Sequence, residues 1–183
     1  HLQKQAGSPR AILPTGDLVG KRVLIVDDNE SNRLILHHMV SSWGMVDELA
    51  EDAASAFDRI AAARQQGTPY DLAILDVVMP KVSGIEVAEA ISKEKLGPVI
   101  LLTAYRDADS VNRATKAGAL AYLVKPYRAE EVGPAIQIAM ARYREMHALE
   151  SALVQSRRDR EGDQQTLAAQ KALMELLLGT WRP

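Results

Sequence analysis

The 183-residue sequence has no cysteine, few aromatic residues and no long hydrophobic run. Without cysteine, disulfides, thiolate chemistry and cysteine-based metal sites are excluded. No apolar stretch approaches the roughly 20 residues that cross a bilayer, and the N-terminus lacks a signal-peptide pattern, so we expect no membrane association. The absence of thiols agrees with a reducing environment and predicts a cytoplasmic location.

An excess of charge of one sign is also missing. The 22 basic and 24 acidic residues give a formal net charge of −2, which provides no electrostatic signal for nucleic acids or anionic membranes. Hydrophobic residues make up 47% and charged residues 25%, the balance of an ordinary globular protein. The length predicts one full domain with a smaller additional segment. Because the first residue is His rather than Met, we interpret the sequence as a fragment or a processed chain.

Short apolar runs alternate with segments of helical periodicity along most of the sequence. Four of the five runs are continuous rather than alternating, which is typical of parallel strands that are buried on both faces. Five such β–α units predict an α/β fold with a doubly wound, five-stranded parallel sheet. The apolar runs are Val23–Val26, Met45–Leu49, Leu72–Leu75, Val99–Leu102 and Ala121–Val124, and the helical segments are Ser31–Trp43, Ala53–Gln66, Gly84–Lys93, Ala108–Ala117 and Ala129 onward.

The pattern divides the chain into three parts. Residues 1–20 are rich in Gly and Pro and predict a linker or loosely attached arm, and residues 21–146 form the predicted domain. Residues 147–183 predict a helical, coiled-coil-like extension, because apolar residues continue at spacings of three and four past the domain. Within it, Gly162 in a polar stretch predicts a break before a second short helix.

Polar side chains follow four of the predicted strands. These residues are Asp27 and Asp28, Asp76, Thr103, and Lys125 with Pro126. Parallel strands bring such residues to one edge of the sheet, and clustered carboxylates without Cys or His indicate Mg²⁺. A carboxylate beside Mg²⁺ can attack phosphorus, while a lysine and a hydroxyl stabilise the phosphoryl oxygens.

The isolated motifs also have ordinary structural explanations. Asp27 and Asp28 alone would cap a helix, and Asp76 alone would be a turn residue. Their joint occurrence with Thr103 and Lys125 favours phosphoryl transfer to an aspartate.

The same residues carry a resemblance to a known family. Ordered along the chain, the motifs are VDDN (26–29), DVVMP (76–80) with Gly84, LLTA (101–104) and YLVKP (122–126). They resemble the receiver domains of two-component response regulators, the CheY-like superfamily with a flavodoxin-like fold. The resemblance covers roughly residues 20–146. It implies a signalling domain rather than an enzyme, whose only chemistry is self-phosphorylation from phosphodonors and self-dephosphorylation.

The resemblance also implies a role for each site residue. Asp76 would accept a phosphoryl group from a histidine kinase or phosphotransfer protein, and Lys125, before a cis Pro126, would contact that group. The metal ligands would be Asp28, Asp76 and the carbonyl of Val78, with Asp27 acting mostly through water. Thr103 and Tyr122 would form a switch pair, small Ala104 would leave room for the phosphodonor, and Val78 and Tyr105 would give slow self-dephosphorylation.

The last segment of the chain carries a second resemblance. The segment Val132–Leu153 resembles the last receiver helix and coiled-coil linker of ANTAR-type antiterminator regulators, whose chains pair and bind RNA through a following module. However, residues 148–183 hold five basic and five acidic residues and are shorter than that module, which gives RNA binding little support. The helical extension (147–183) is therefore interpreted as either a truncated output module or a homodimerisation helix.

Two alternatives for the whole chain remain open. Segments Gly20–Asn29, Ser42–Gly44 and Pro69–Leu72 resemble receivers of hybrid histidine kinases, so the domain can also be a phosphorelay intermediate. An aspartyl-phosphate phosphatase of the haloacid dehalogenase type needs a second Asp two residues after the nucleophile. That position is Val78 here, which argues against this enzyme.

Overall fold

The computed structural model describes residues 17–104 and 108–179, without the side chains of 108, 110 and 176–179. Most of the predicted N-terminal arm, and Tyr105, lie outside these ranges. Strands and helices alternate as predicted. The strands are β1 (Arg22–Val26), β2 (Val46–Ala50), β3 (Leu72–Asp76), β4 (Val99–Thr103) and β5 (Ala121–Val124), and the helices are α1 (Glu30–Ser42), α2 (Ala53–Gln65), α3 (Gly84–Lys93), α4 (Ala108–Lys116) and α5 (Ala129–Gly179).

The five strands form one parallel sheet in the order β2-β1-β3-β4-β5. This order confirms the predicted doubly wound fold. Pairing is in step across the sheet: Ile25 lies opposite Ile74 in β3, and Ile74 lies opposite Ile100 in β4. The topology places the carboxyl ends of β1, β3, β4 and β5 next to one another.

Side chains of each strand point alternately to the two faces of the sheet and fill a separate hydrophobic core on each face. In β1, Val23 and Ile25 pack into a core that also holds Ile136 of α5, whereas Leu24 and Val26 pack into the opposite core. Successive side chains of a strand point to opposite faces, so one continuous apolar run serves both layers. Leu18, in the last part of the predicted arm, is buried in the first core.

Local signals start the helices at defined residues. Asn29 caps α1, because its side chain accepts a hydrogen bond from the backbone N–H of Asn32. Ser83 caps α3 and forms a reciprocal pair with Glu86, which satisfies two backbone donors of the first turn. These caps lie just after β1 and β3, so they also fix the loops that carry the acidic residues.

Helix α5 continues without a break to Gly179, so the predicted interruption at Gly162 is wrong. A glycine costs only about 1 kcal/mol in a helix, and the flanking Arg, Glu and Gln residues favour helix. The chain divides into two compact units, one ending at Tyr143 and the other starting at Arg144. Within the part of the chain that is described, no helix combines the length and apolarity that a membrane span requires.

Candidate functional site

Four strand ends supply the side chains predicted to converge. Asp76 and Thr103 are the last residues of β3 and β4, while Asp27 and Lys125 immediately follow β1 and β5. Since these strands are parallel neighbours, their carboxyl ends meet at one edge of the sheet. The predicted convergence of these side chains is therefore present in the structure.

Lys125 joins the two buried carboxylates of this edge. Its Nζ lies 2.8 Å from an oxygen of Asp27 and 2.8 Å from an oxygen of Asp76. Both carboxylates are buried, whereas the lysine side chain keeps 22% of its surface exposed. Lys125 and Asp27, which are 98 positions apart in the chain, thus belong to one ion cluster. Of these two side chains, only that of the lysine is accessible to solvent.

Asp28 completes an acidic cluster at the same place. One carboxylate oxygen each from Asp27, Asp28 and Asp76 lie within 4.8 Å of one another, and Asp28 is exposed to solvent. The three carboxylates outnumber the single ammonium group of Lys125. Such a set of oxygen donors, open to water on one side, suits a hard divalent cation such as Mg²⁺.

Burial and neighbouring charges oppose each other at the two central groups. Burial raises the pKa of Asp76; the hydrogen bond from Lys125 works against this rise and the negative charge of Asp27 adds to it. Burial alone would lower the pKa of Lys125, but its hydrogen bonds to Asp27 and Asp76 outweigh that effect and raise it. The lysine is therefore held as a cation between the two carboxylates.

Two residues of α1 that sequence reasoning missed support the acidic loop. The side-chain amide of Asn32 donates to both oxygens of Asp27 at 3.1 Å, and the backbone N–H of Asn29 donates to one of them at 2.9 Å. Arg33 donates to the backbone carbonyls of Asp27 at 2.7 Å and Asp28 at 3.2 Å. The signal for both was their position in the first turn of a helix that starts directly after the aspartates.

Gly84 permits a close approach at the other acidic strand end. A Cβ atom on this residue would lie 1.9 Å from the carbonyl oxygen of Asp76, so no other residue fits without movement. The neighbouring Ser83 hydroxyl donates to the carbonyl of Val77 at 3.1 Å. The start of α3 thereby fixes the backbone that carries Asp76.

Thr103 and Tyr122, the predicted switch pair, line one cavity of about 280 Å³ together with Val78. Thr103 is buried, and 45% of the Tyr122 surface is exposed. Ala104, next to Thr103, is exposed. Both residues of the predicted pair therefore border the same cavity.

The remaining predicted residues lie around Asp76 and Lys125. Val78 is exposed, and its backbone N–H lies 3.4 Å from a carboxylate oxygen of Asp76. The peptide bond before Pro126 is cis, as predicted. Tyr127, which sequence reasoning missed, has its pKa raised to about 12 by burial and by the negative charges of Asp27 and Asp76.

This fold and this arrangement of side chains define the class of the protein. The chain belongs to the family described as the response regulator receiver domain, which matches residues 23–137. The predicted family is thereby confirmed, and the domain is a signalling receiver rather than a classical enzyme.

Among curated proteins, the chain is similar to the transcriptional regulatory protein PdtaR of Mycobacterium tuberculosis, with 39% identity over 140 residues. That match covers 75% of this chain and 66% of PdtaR, just under two thirds of its length. The osmosensing histidine protein kinase SLN1 of Saccharomyces cerevisiae is 32% identical over 111 residues, covering 58% of this chain and 9% of SLN1. The C-terminal helix is consistent with the resemblance to ANTAR-type regulators.

Solved structures agree with the family. The chemotaxis protein CheY4 of Vibrio cholerae is 31% identical with a TM-score of 0.58, and the match covers 66% of this chain and 99% of CheY4. A response regulator receiver domain protein from Clostridium thermocellum is 27% identical with a TM-score of 0.60, covering 69% and 98%. Both matches cover nearly the whole of the solved receiver structure.

Proposed function

We propose that this chain is the phosphoacceptor of a two-component system and that Asp76 receives the phosphoryl group. The observation that carries the proposal is the position of Lys125, whose ammonium group contacts both Asp27 and Asp76 beside the exposed Asp28. The donor would be a histidine kinase or a phosphotransfer protein, as in the family. We place the reaction in the cytoplasm.

The chemistry follows from the groups at this edge. A carboxylate oxygen of Asp76 attacks phosphorus, and the bond from phosphorus to the donor nitrogen, or to oxygen in acetyl phosphate, breaks with its electrons leaving on the donor. Lys125 places a positive charge where the phosphoryl oxygens gain negative charge. The Thr103 hydroxyl donates to one of those oxygens, and Ala104 leaves the approach open.

The side chains present fit Mg²⁺. Asp28 and Asp76 would hold it directly together with the carbonyl of Val78, and Asp27 would act mostly through water. Bound Mg²⁺ would supply positive charge that stabilises the phosphoryl oxygens during transfer. Asn32 and Arg33 hold the loop of Asp27 and Asp28 in place, and Lys125 keeps the two buried carboxylates from repelling each other.

Phosphorylation would be converted into a conformational change next to the site. The acyl phosphate carries about −1.5 to −2 charge in place of the single negative charge of the Asp76 carboxylate, and its oxygens attract the Thr103 hydroxyl. The ring of Tyr122, now half exposed, would then turn into the vacated space. The cavity that both residues line supports this switch. It would bias the loop after β4 and the surface formed by α4, β5 and α5.

We divide the chain into an arm (1–20), a receiver (21–146) and a helical extension (147–183) that transmits the switch by forming a homodimer. The exposed side chains of Leu149 and Leu153 support pairing through this helix. RNA binding by a truncated output module is the weaker possibility, because the extension carries balanced charge.

The test is labelling of the full chain with acetyl phosphate. We expect Mg²⁺-dependent incorporation of about one phosphoryl group, abolished by EDTA and by Asp76→Asn. Asp71→Asn is the matched control, since Asp71 lies just before the same strand and pairs with Lys21 instead. Labelling that survives Asp76→Asn would contradict the assignment. Catalytic release of phosphate from many substrates would favour the phosphatase alternative instead.

The lifetime of the acyl phosphate is a second readout. Val78 has no polar side-chain group, and Tyr105 has no amide or carboxylate to orient an attacking water, so the label should persist well beyond seconds. Decay within seconds would contradict this expectation.

The hybrid-kinase alternative predicts a different fate for the same label. A phosphorelay intermediate would pass its phosphoryl group on to a phosphotransfer histidine, as the similarity to part of SLN1 suggests. Mixing labelled chain with a purified phosphotransfer protein separates the two roles, because only the relay loses its label to the partner.

A further inference from the structure

The part of α5 after Tyr143 presents a heptad pattern on an exposed helix. Apolar and charged residues share one stripe, in which a and d denote the two core positions of each heptad. Leu149, Leu153, Leu167 and Met174 on this stripe are all at least 59% exposed. The a positions are Met146, Leu153, Arg160, Leu167 and Met174, and the d positions are Leu149, Ser156, Asp163 and Gln170.

The centre of this stripe holds two opposite charges. Arg160 occupies an a position and Asp163 the next d position. In a parallel homodimer each core residue faces its own copy, so Arg160 would face Arg160 and Asp163 would face Asp163. Both layers would bring like charges together in a partly desolvated core, which is strongly unfavourable.

An antiparallel homodimer avoids both repulsions. There, each a position faces a d position of the second copy. In the alignment whose two-fold axis passes between residues 161 and 162, Arg160 faces Asp163 of the second copy. The symmetry of the dimer then forms the same pair twice. The same alignment places Leu149 opposite Met174 and Ser156 opposite Leu167.

The flanking positions agree with this alignment. At the e positions, Glu150 comes beside Lys171 of the second copy, an attractive pair. A parallel alignment would instead bring Glu145 beside Glu150 of the second copy, two negative charges. Charged residues at the core edge commonly set the orientation of paired helices.

We infer that the occupant of this stripe is a second copy of the same chain, bound antiparallel and centred between Arg160 and Asp163. The inference rests on the proposed dimerisation and adds its orientation and alignment. The central charge pairs select the antiparallel arrangement, and the apolar residues at both ends of the stripe supply most of the association.

Charge reversal in the full chain tests the central pair. Arg160→Asp alone and Asp163→Arg alone each create like-charge contacts in the antiparallel dimer. We expect either change to raise the dimer Kd about tenfold or more, measured by sedimentation, and the double reversal to restore it. A parallel dimer has like charges in every one of these variants, so its Kd would stay nearly constant.

Arg158 and Glu161 provide the matched control. They carry the same charges at the same spacing, but they lie on the side of the helix away from the stripe. Arg158→Asp and Glu161→Arg should leave the dimer Kd unchanged. Circular dichroism on every variant checks that the helix itself persists.

Cross-linking reads the orientation directly, because the natural sequence has no cysteine. In the antiparallel dimer, a mixture of the single variants Ser156→Cys and Leu167→Cys forms a mixed disulfide, and neither variant cross-links with itself. Self-linked dimers of each single variant would show a parallel pair and overturn the inference. A monomer at all concentrations would overturn both the inference and the proposed dimerisation, while acetyl phosphate labelling would still report on the phosphoacceptor.

Discussion

Opposite charges meet in different ways in the two units of this chain. At the sheet edge, Lys125 contacts Asp27 and Asp76, which come from distant parts of the sequence and are buried by the fold. In the extension, Arg160 and Asp163 lie on one exposed helical stripe. The receiver brings its charges together within one chain, whereas in the proposed dimer a second chain would bury the charges of the extension. Topology fixes the first arrangement, and the second would depend on the protein concentration.

The largest expected effect is at the buried ion cluster. Lys125→Ala should slow labelling by acetyl phosphate about 10²- to 10³-fold, because it removes the cation that stabilises the phosphoryl oxygens. Lys21→Ala is the control, since Lys21 forms an equally short 2.8 Å pair with Asp71 that is 32–41% exposed. That surface change should leave the labelling rate intact and cost at most about 1 kcal/mol in unfolding free energy. Equal labelling rates for both variants would contradict the role of Lys125 in phosphoryl transfer.

Replacing a glycine with alanine should change stability in opposite directions in the two units. Gly84→Ala places a Cβ against the Asp76 carbonyl and should lower the unfolding free energy of the receiver by about 1–3 kcal/mol in urea titrations. Gly162→Ala meets open space and should stabilise the helix by up to about 1 kcal/mol, seen as higher helicity by circular dichroism. Tolerance of alanine at position 84 would show that the loop carrying Asp76 is not held as tightly as the structure indicates.

The apolar stripe should matter for association and not for receiver folding. Leu149→Glu combined with Leu153→Glu should raise the dimer Kd by at least about tenfold, since two exposed leucines lose their burial against a second chain. Light scattering over a concentration series measures this. Ser151→Glu with Gln155→Glu adds the same charge on the other side of the helix and should have little effect. If the unsubstituted chain is a monomer, the stripe has no role in association and the prediction is contradicted.

The smallest expected effect is a change in the stability of the receiver in alkaline solution, which the extension should not show. Burial, with the hydrogen bond donated to Glu48, raises the pKa of Tyr70 to about 12, and residues 144–183 contain no tyrosine. An unfolded tyrosine titrates near about pH 10, so the unfolded state loses this proton first. Receiver stability should therefore fall as pH rises from about 10 to 12, and less steeply in Tyr70→Phe. An identical slope in that variant would contradict the assignment.

Much of the fold followed from the sequence because its signals are local. Continuous apolar runs marked β1, β3, β4 and β5, and β2 was found despite its weaker pattern. Glycine propensity misled at Gly162, since a local preference of about 1 kcal/mol is easily outweighed by its neighbours. The candidate site residues were predicted from strand ends and motif spacing, and their convergence needed only the rule for parallel sheets.

The supporting contacts could not be predicted in the same way. Asn32 and Arg33 hold the acidic loop, and Gly84 contacts the backbone of Asp76, through distances that depend on how each helix packs. The half-exposed position of Tyr122 likewise depends on the space between α4 and the loop after β3.

By itself, the sequence determined which segments are strands and helices, which residues end the strands and which charges lie on the last helix, because periodicity and spacing are properties of the chain. Only the tertiary structure decided that Lys125 contacts both Asp27 and Asp76 while Asp28 stays open to water. The physical reason is that burial and hydrogen-bond geometry arise from the packing of segments distant in sequence, which no local pattern specifies.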